Sequence, residues 1–183
     1  FYKNENNYLC LLSTEGKFKK FYFDEDMLKT NRAFSILKLK HNTKLVNSFI
    51  SNNDNDFMIV LTSIGRLFKF NLSNKYIPPI SKQAQGNTLI KLFPSEKIIS
   101  SCKSTENNNS IIATKKGKFF KIDNKQITNS HIYQLGYIDE KLKLKNDSFI
   151  KIFTSDNYCE LETNKKKYIH VNISKLIDNK NLI

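Results

Sequence analysis

The chain contains no tryptophan and few residues that bend or staple a backbone: 5 glycines, 3 prolines and 3 cysteines in 183 residues. Cys10, Cys102 and Cys159 are odd in number and widely spaced, with no C-x-x-C pair, which argues against a disulfide framework or a zinc site. They read instead as small buried apolar residues in a reducing compartment. No segment approaches the roughly 18 consecutive apolar residues of a membrane helix, and Phe1-Tyr2-Lys3-Asn4-Glu5-Asn6-Asn7 lacks the apolar stretch of a signal peptide. Neither a membrane partner nor export is expected. The first residue is not Met, and the chain is expected to be cut from something longer. Acid is the scarce charge: 17 Asp and Glu stand against 30 Lys and Arg, a net charge of +13. That excess suits a polyanionic partner. The 14 Phe and 8 Tyr are more ring surface than a disordered tail carries, so a folded core is expected.

Catalytic signatures are also missing. His41, His131 and His170 lie far apart, outside any H-E-x-x-H or G-x-S-x-G context, and no G-x-x-x-x-G-K-[ST] loop is present. The acidic groups Asp24-Glu25-Asp26 and Asp139-Glu140 read as solvated turns, and the Asn-rich stretches at 52–55 and 107–109 as loops. No catalytic residue, metal or cofactor is expected within the chain.

What is present is a repeat. Three of the glycines fall at matching places in Leu12-Ser13-Thr14-Glu15-Gly16-Lys17-Phe18, Leu61-Thr62-Ser63-Ile64-Gly65-Arg66-Leu67 and Ala113-Thr114-Lys115-Lys116-Gly117-Lys118-Phe119, spaced by 49 and 52 residues. Each lies between an apolar run and an aromatic run, the pattern of a hairpin whose turn needs a residue at positive φ. A degenerate fourth copy, Glu162-Thr163-Asn164-Lys165-Lys166-Lys167-Tyr168-Ile169-His170-Val171, has Lys166 in the glycine's place. A second marker keeps the same period. Ile36-Leu37-Lys38-Leu39 with Leu45-Val46, Leu89-Ile90-Lys91-Leu92 with Ile98-Ile99, and Lys141-Leu142-Lys143-Leu144 with Phe149-Ile150 align with Leu39, Leu92 and Leu144 separated by 53 and 52 residues. The unit expected is two strands followed by a Gly-turn hairpin.

A four-stranded unit of roughly 50 residues cannot bury both faces of its sheet alone, so units must stack. Phe57-Met58-Ile59-Val60-Leu61, apolar on both faces, fits a sheet sandwiched between neighbours. The fold class is therefore all-β and propeller-like, built from four-stranded blades of about 50 residues, with repeats near 1–33, 34–86, 87–136 and 137–183 in one domain or part of one.

The charges recur with the repeat. Lys17, Arg66, Lys118 and Lys167 stand one position after the turn residue; Lys20, Lys69, Lys121 and His170 stand four positions after it; Lys38, Lys91 and Lys143 precede the aligned Leu. Equivalent positions on stacked blades trace a belt, the shape that holds a bent polyanion. Duplex DNA fits that description, bound without sequence preference and with steep salt dependence. No recognition-helix or zinc-finger pattern supports base reading. Two other readings compete: a single-strand binder stacking bases on Phe and Tyr, and a protein-interaction propeller whose basicity serves solubility. The WD-repeat and kelch signatures are absent, since no Trp and no Gly-Gly doublet occurs.

Asp56-Phe57-Met58-Ile59-Val60-Leu61-Thr62-Ser63-Ile64-Gly65-Arg66-Leu67-Phe68-Lys69-Phe70, followed by Ile80-Ser81-Lys82-Gln83-Ala84-Gln85-Gly86-Asn87-Thr88-Leu89-Ile90-Lys91-Leu92 and Glu96-Lys97-Ile98-Ile99, resembles a blade of the C-terminal domain of the DNA gyrase A subunit, to which that of topoisomerase IV is related. The likeness extends over nearly the whole chain, strongest over 56–102 and weakest beyond 124. It implies a β-pinwheel, whose adjacent blades exchange strands and whose basic outer rim wraps double-stranded DNA. It implies as partners the remainder of the gyrase A subunit and the gyrase B subunit, in an ATP-dependent type IIA topoisomerase that does the catalysis elsewhere. Carried onto this sequence, the rim is Lys17, Lys20, Arg66, Lys69, Lys82, Lys118 and Lys121, and Arg32, Lys38, Lys91, Lys143 and Lys167 complete the expected DNA contacts. A Gln-Arg-Arg-Gly-Gly-Lys-Gly-type gyrase box has no good copy; Ser81-Lys82-Gln83-Ala84-Gln85-Gly86 is the ordinary blade loop. The expected location is a DNA-containing reducing compartment, either a bacterial cytoplasm or nucleoid or a plastid-type organelle of the apicoplast kind.

Overall fold

The computed structural model describes residues 7–23, 27, 29, 33, 35–52, 54–154, 158–162 and 165–172. A Ser or Thr followed three residues later by a turn residue at positive φ sets each of the first three hairpins. The N–H groups of Gly16, Gly65 and Gly117 donate to the carbonyls of Ser13, Thr62 and Thr114 at 3.1, 3.1 and 3.0 Å. The N–H groups of Lys17, Arg66 and Lys118 donate to the hydroxyls of the same three residues at 3.1, 3.2 and 3.1 Å. One local rule, written three times, gives three superposable turns.

The hairpins are β1 (Tyr8–Ser13) with β2 (Lys17–Tyr22), β4 (Phe57–Thr62) with β5 (Arg66–Asn71), β8 (Asn109–Thr114) with β9 (Phe119–Asp123), and β12 (Tyr158–Glu162) with β13 (Tyr168–Asn172). Between them run β3 (Leu45–Ser51), β6 (Asn87–Thr88), β7 (Ile98–Ser104), β10 (Tyr137–Ile138) and β11 (Phe149–Thr154). The sheets are antiparallel, ordered β3-β1-β2-β6, β10-β5-β4-β7, β11-β8-β9 and β12-β13. Each of the first two hairpins takes a long strand from the segment that follows it and a short strand from beyond the next hairpin. Lys17 pairs with Thr88, and Arg66 with Ile138. Sheets therefore cut across the sequence repeats: strands are handed from one blade to another.

The expectation of a strand over each Lys-Leu segment is corrected. The ladder ends at Thr88 and at Ile138; Leu89–Leu92 runs on without ladder pairing and Glu140–Leu142 is one 3₁₀ turn, capped at its start by the Asp139 side chain. Residues 36–39 are likewise irregular. The reason is a bond to the turn in place of a ladder: Leu89 N–H donates to the Gly16 carbonyl at 2.9 Å. The segment drapes over the end of the first hairpin, one repeat back from the hairpin that precedes it, so closely that a Cβ on Gly16 would meet the Ile90 carbonyl at 2.7 Å. Gly65 stands 3.2 Å from the Leu142 carbonyl by the same measure, so Ile90 and Leu142 are equivalent.

Among the described residues, two cores lie between the first three sheets. Cys10, Leu12 and Phe18 of the first sheet pack with Met58, Val60, Phe68 and Phe70 of the second. Ile59, Leu61 and Leu67 of the second sheet pack with Ile112, Ile122, Phe149 and Ile152 of the third. Strand β4 thus sends alternate residues into opposite cores, which is why its whole run is apolar.

Candidate nucleic-acid interface

The cations at the middle of the first two aromatic strands point inward, as does Arg66 at the start of the second. Lys20, Arg66 and Lys69 are buried, as is Lys19 beside them. This corrects the expectation that Lys20, Arg66 and Lys69 line an outer rim. A strand whose two faces both abut a core has no solvent side, and a cation placed mid-strand must find its partners within the protein. Lys20 Nζ donates to the carbonyls of Leu72 and Ile77 and to Asn74 Oδ1, all in the loop after the second hairpin. Lys69 Nζ repeats this one blade on, donating to the Asn124 carbonyl at 2.9 Å, in the loop after the third. Lys19 Nζ takes the carbonyls of Ile36 and Lys82. Burial holds the ammonium groups of Lys19 and Lys20 below the ordinary lysine range, Asp54 and Asp56 pulling Lys20 partly back.

Arg66 is the most heavily bonded of these cations. Its guanidinium grips both carboxylate oxygens of Glu96, at 2.9 and 2.5 Å, and donates to the carbonyls of Leu135 at 2.7 Å and Lys91 at 2.9 Å. Phe93 and Phe68 cover its faces at 4.3 and 5.0 Å. Burial pushes the Glu96 carboxyl up, but hydrogen bonds from Arg66, Thr62 and the Phe93 N–H outweigh it and hold it below its usual value. One side chain therefore ties a blade to two connections, including the loop that leads into the exchanged strand β10.

The outward cations lie on the connections, at the hairpin turns and, for Lys121, on the third aromatic strand β9. Lys38, Lys91 and Lys143 are all exposed. Lys118, Lys121 and Lys167 are exposed as well, while Lys17 and Lys82 are half-buried. Arg32 lies outside the described residues. At the turn end of each of the first three sheets the hairpin is joined to the following connection by a pair of bonds, reciprocal in the first two. Thr14 N–H donates to the Lys44 carbonyl and Lys44 N–H to Thr14 Oγ1; Ser63 and Lys97 repeat the pair; Lys115 N–H donates to the Ser148 carbonyl and Lys116 N–H to Asp147 Oδ1. These bonds gather exposed Lys40 and Lys44 at the first sheet, Lys97 at the second, and Lys115 and Lys116 at the third. Lys91 follows the residue against Gly16 and Lys143 the residue against Gly65, so both join this end.

The acids at the same end are largely withdrawn. Glu96 is buried on Arg66. Half-buried Glu15 pairs loosely with Lys40 at 3.8 Å. Glu140 meets Lys143 at 2.7 Å, but both are well exposed, and such surface pairs contribute at most about 1 kcal/mol. Lys143 is thus available to another anion.

Sequence reasoning missed Lys19, the Arg66–Glu96 pair, and Lys40, Lys44, Lys97, Lys115 and Lys116. A signal for the inward cations was present: Lys69 sits between Phe68 and Phe70, opposite a strand already read as buried on both faces. The turn-end lysines follow no single position in the repeat and become neighbours only through the bonds that join turn to connection.

Small antiparallel blades that hand strands to one another define the β-pinwheel. The structure superposes on that of a DNA gyrase A C-terminal domain with a TM-score of 0.73 and 20% identity, covering 94% of this chain and 56% of that one. For a topoisomerase IV C-terminal domain the figures are 0.76, 17%, 92% and 53%; for the E. coli ParC C-terminal domain they are 0.62, 11%, 93% and 71%. The chain spans a little over half the length of the first two. No family model and no curated protein matches the sequence significantly.

Proposed function

We propose that the chain is a non-catalytic unit that binds duplex DNA and wraps it for a type IIA topoisomerase of the gyrase A kind. The observation that carries this is the placement of Lys38, Lys91 and Lys143. They occupy one station of three successive repeats, all face outward, and two of them share the turn end of the sheets with five further exposed lysines. A row of cations stepping from blade to blade can follow a phosphate backbone, and each phosphate contact adds a counterion-release contribution that is indifferent to base sequence. Curvature of the row would oblige the duplex to bend, at a cost on the order of 1–6 kcal/mol for 40–90° over 20–30 base pairs, which multiple contacts offset. The structural neighbours, drawn from DNA gyrase and topoisomerase IV, agree with this reading.

In this role the chain would work with the remainder of the A subunit and with the B subunit, which would supply strand cleavage, passage and ATP hydrolysis. Three free thiols, two of them buried, suit a reducing, DNA-containing compartment, whether a bacterial nucleoid or a plastid-type organelle.

The test is duplex retention against salt for the protein and for a K38E/K91E/K143E variant. The variant should lose retention at salt concentrations where the parent holds DNA, while its unfolding midpoint stays unchanged. Equal retention by both proteins would place the interface elsewhere.

A further inference from the structure

Two loops of this protein share a frame of hydrogen bonds but not one chemistry. Ile80 N–H donates to the Lys20 carbonyl at 2.8 Å, and Ala84 N–H to Ser81 at 3.1 Å. Fifty residues on, Ser130 N–H donates to the Lys69 carbonyl at 2.7 Å, and Gln134 N–H to His131 at 3.2 Å. Both loops end in a glycine at positive φ, Gly86 and Gly136, and both then feed an exchanged strand, β6 or β10. The equivalences are therefore Lys82 with Ile132, Gln83 with Tyr133, and Gln85 with Leu135. The first loop shows the solvent lysine and glutamines; the second shows it Ile132, Tyr133 and Leu135, exposed by 48%, 62% and 69%.

The shared frame of bonds does not require those apolar side chains, because polar Gln83 and Gln85 stand at the equivalent places of the first loop, where Gln83 lacks the positive φ of Tyr133. Nor is the loop slack. It is pinned by the bond from Ser130, by Tyr133 N–H on the Leu89 carbonyl at 3.1 Å, by His131 N–H on Gln134 Oε1 at 2.9 Å, and by Arg66 on the Leu135 carbonyl at 2.7 Å. Tyr133 holds φ at 66°, a left-handed backbone that costs a non-glycine residue energy. A tip held by four hydrogen bonds that presents Ile, Tyr and Leu side by side to water is suited to contact with a partner.

What it would contact is indicated by its neighbours. The same guanidinium that holds the Leu135 carbonyl holds that of Lys91, so the exposed Leu sits beside a lysine of the cation row, next to half-exposed Phe93. Apolar side chains flanked by phosphate-binding cations are the equipment of proteins that unstack a base step in the minor groove and kink the duplex, by roughly 20–90°. Resting on the DNA-binding role proposed above, we infer that the loop 131–135 is a wedge, with Leu135 and Tyr133 set against the bases at one step of the bound duplex. It would localise a bend that the lysines alone leave smooth.

The experiment uses the full protein and a Y133Q/L135Q variant, which installs the residues of the equivalent loop and leaves the main-chain bonds of Ser130, Tyr133 and Leu135 and the turn glycine Gly136 in place. Duplexes carrying 2-aminopurine at successive steps report unstacking, end-labelled duplexes report bending by energy transfer, and sedimentation reports self-association. The parent should raise 2-aminopurine emission at one or two adjacent steps. The variant should lose that rise and bend DNA less, with an unchanged salt slope of binding. A parent that binds DNA without a 2-aminopurine response overturns the wedge and leaves the DNA-binding role intact. A parent that does not bind DNA overturns both. A variant that bends DNA normally but loses self-association assigns the loop to a second copy of the chain and overturns the wedge.

Discussion

Lys20 of β2 and Leu72, just past β5, are joined across two blades: the buried ammonium donates to the Leu72 carbonyl, and Lys69 treats Asn124 in the same way one repeat later. A cation that recurs in sequence is here a staple between blades. The acceptors of Lys20 are the carbonyls of Leu72 and Ile77 with Asn74 Oδ1, so the buried charge is met within the protein.

Lys20→Met should therefore lower stability by roughly 1–3 kcal/mol, the penalty for leaving a buried polar group unsatisfied. DNA retention should keep the same salt slope. Urea unfolding and a salt titration on the same samples separate the two effects, and a reduced slope in Lys20→Met would return that residue to the interface.

The outward lysines should behave in the opposite way. Replacing Lys38, Lys91 and Lys143 by Gln should reduce the slope of log K against log salt by about 0.9 for each phosphate contact removed. Thermal unfolding should not move, because none of the three is buried.

Glu96→Gln leaves Arg66 as a buried charge without its carboxylate, a change that costs about 3–5 kcal/mol in comparable buried pairs. The pH dependence follows from the depressed Glu96 carboxyl. Its contribution is present above the ordinary carboxylate pKa of about 4.5 and is lost as pH falls through the lower folded value. The stability gap between parent and Glu96→Gln should thus narrow on acidification. Urea midpoints at neutral and acid pH measure it, and a gap independent of pH would show that Glu96 acts through packing alone.

In the fourth hairpin Lys166 takes the turn position held by glycine in the other three, and it does so at φ of 56°. The left-handed conformation costs a residue with a Cβ about 1–2 kcal/mol, and glycine returns about half of that as unfolded-state entropy. Lys166→Gly should raise stability by about 0.5–1 kcal/mol in urea unfolding, and a loss would show that the Lys166 side chain contributes more than its backbone strain.

Burial pushes the thiols of Cys10 and Cys102 up to about 12, whereas Cys159 is only partly covered. A thiol reagent at mildly alkaline pH should modify Cys159 first, the other two reacting only on unfolding. Equal rates at all three would contradict this packing.

The repeat is written in local sequence. Ser13, Thr62 and Thr114 with Gly16, Gly65 and Gly117 write one turn three times through bonds that span at most four residues, and the apolar run at 57–61 requires a blade covered on both sides. Local chemistry suffices for such features. What each cation does was decided only in three dimensions. Lys20 and Lys38 both belong to recurrent positions, yet one ends on a carbonyl 52 residues away and the other in solvent, because strand exchange sets which chain segment closes over which blade. That closure is long-range, so no spacing within a single repeat encodes it.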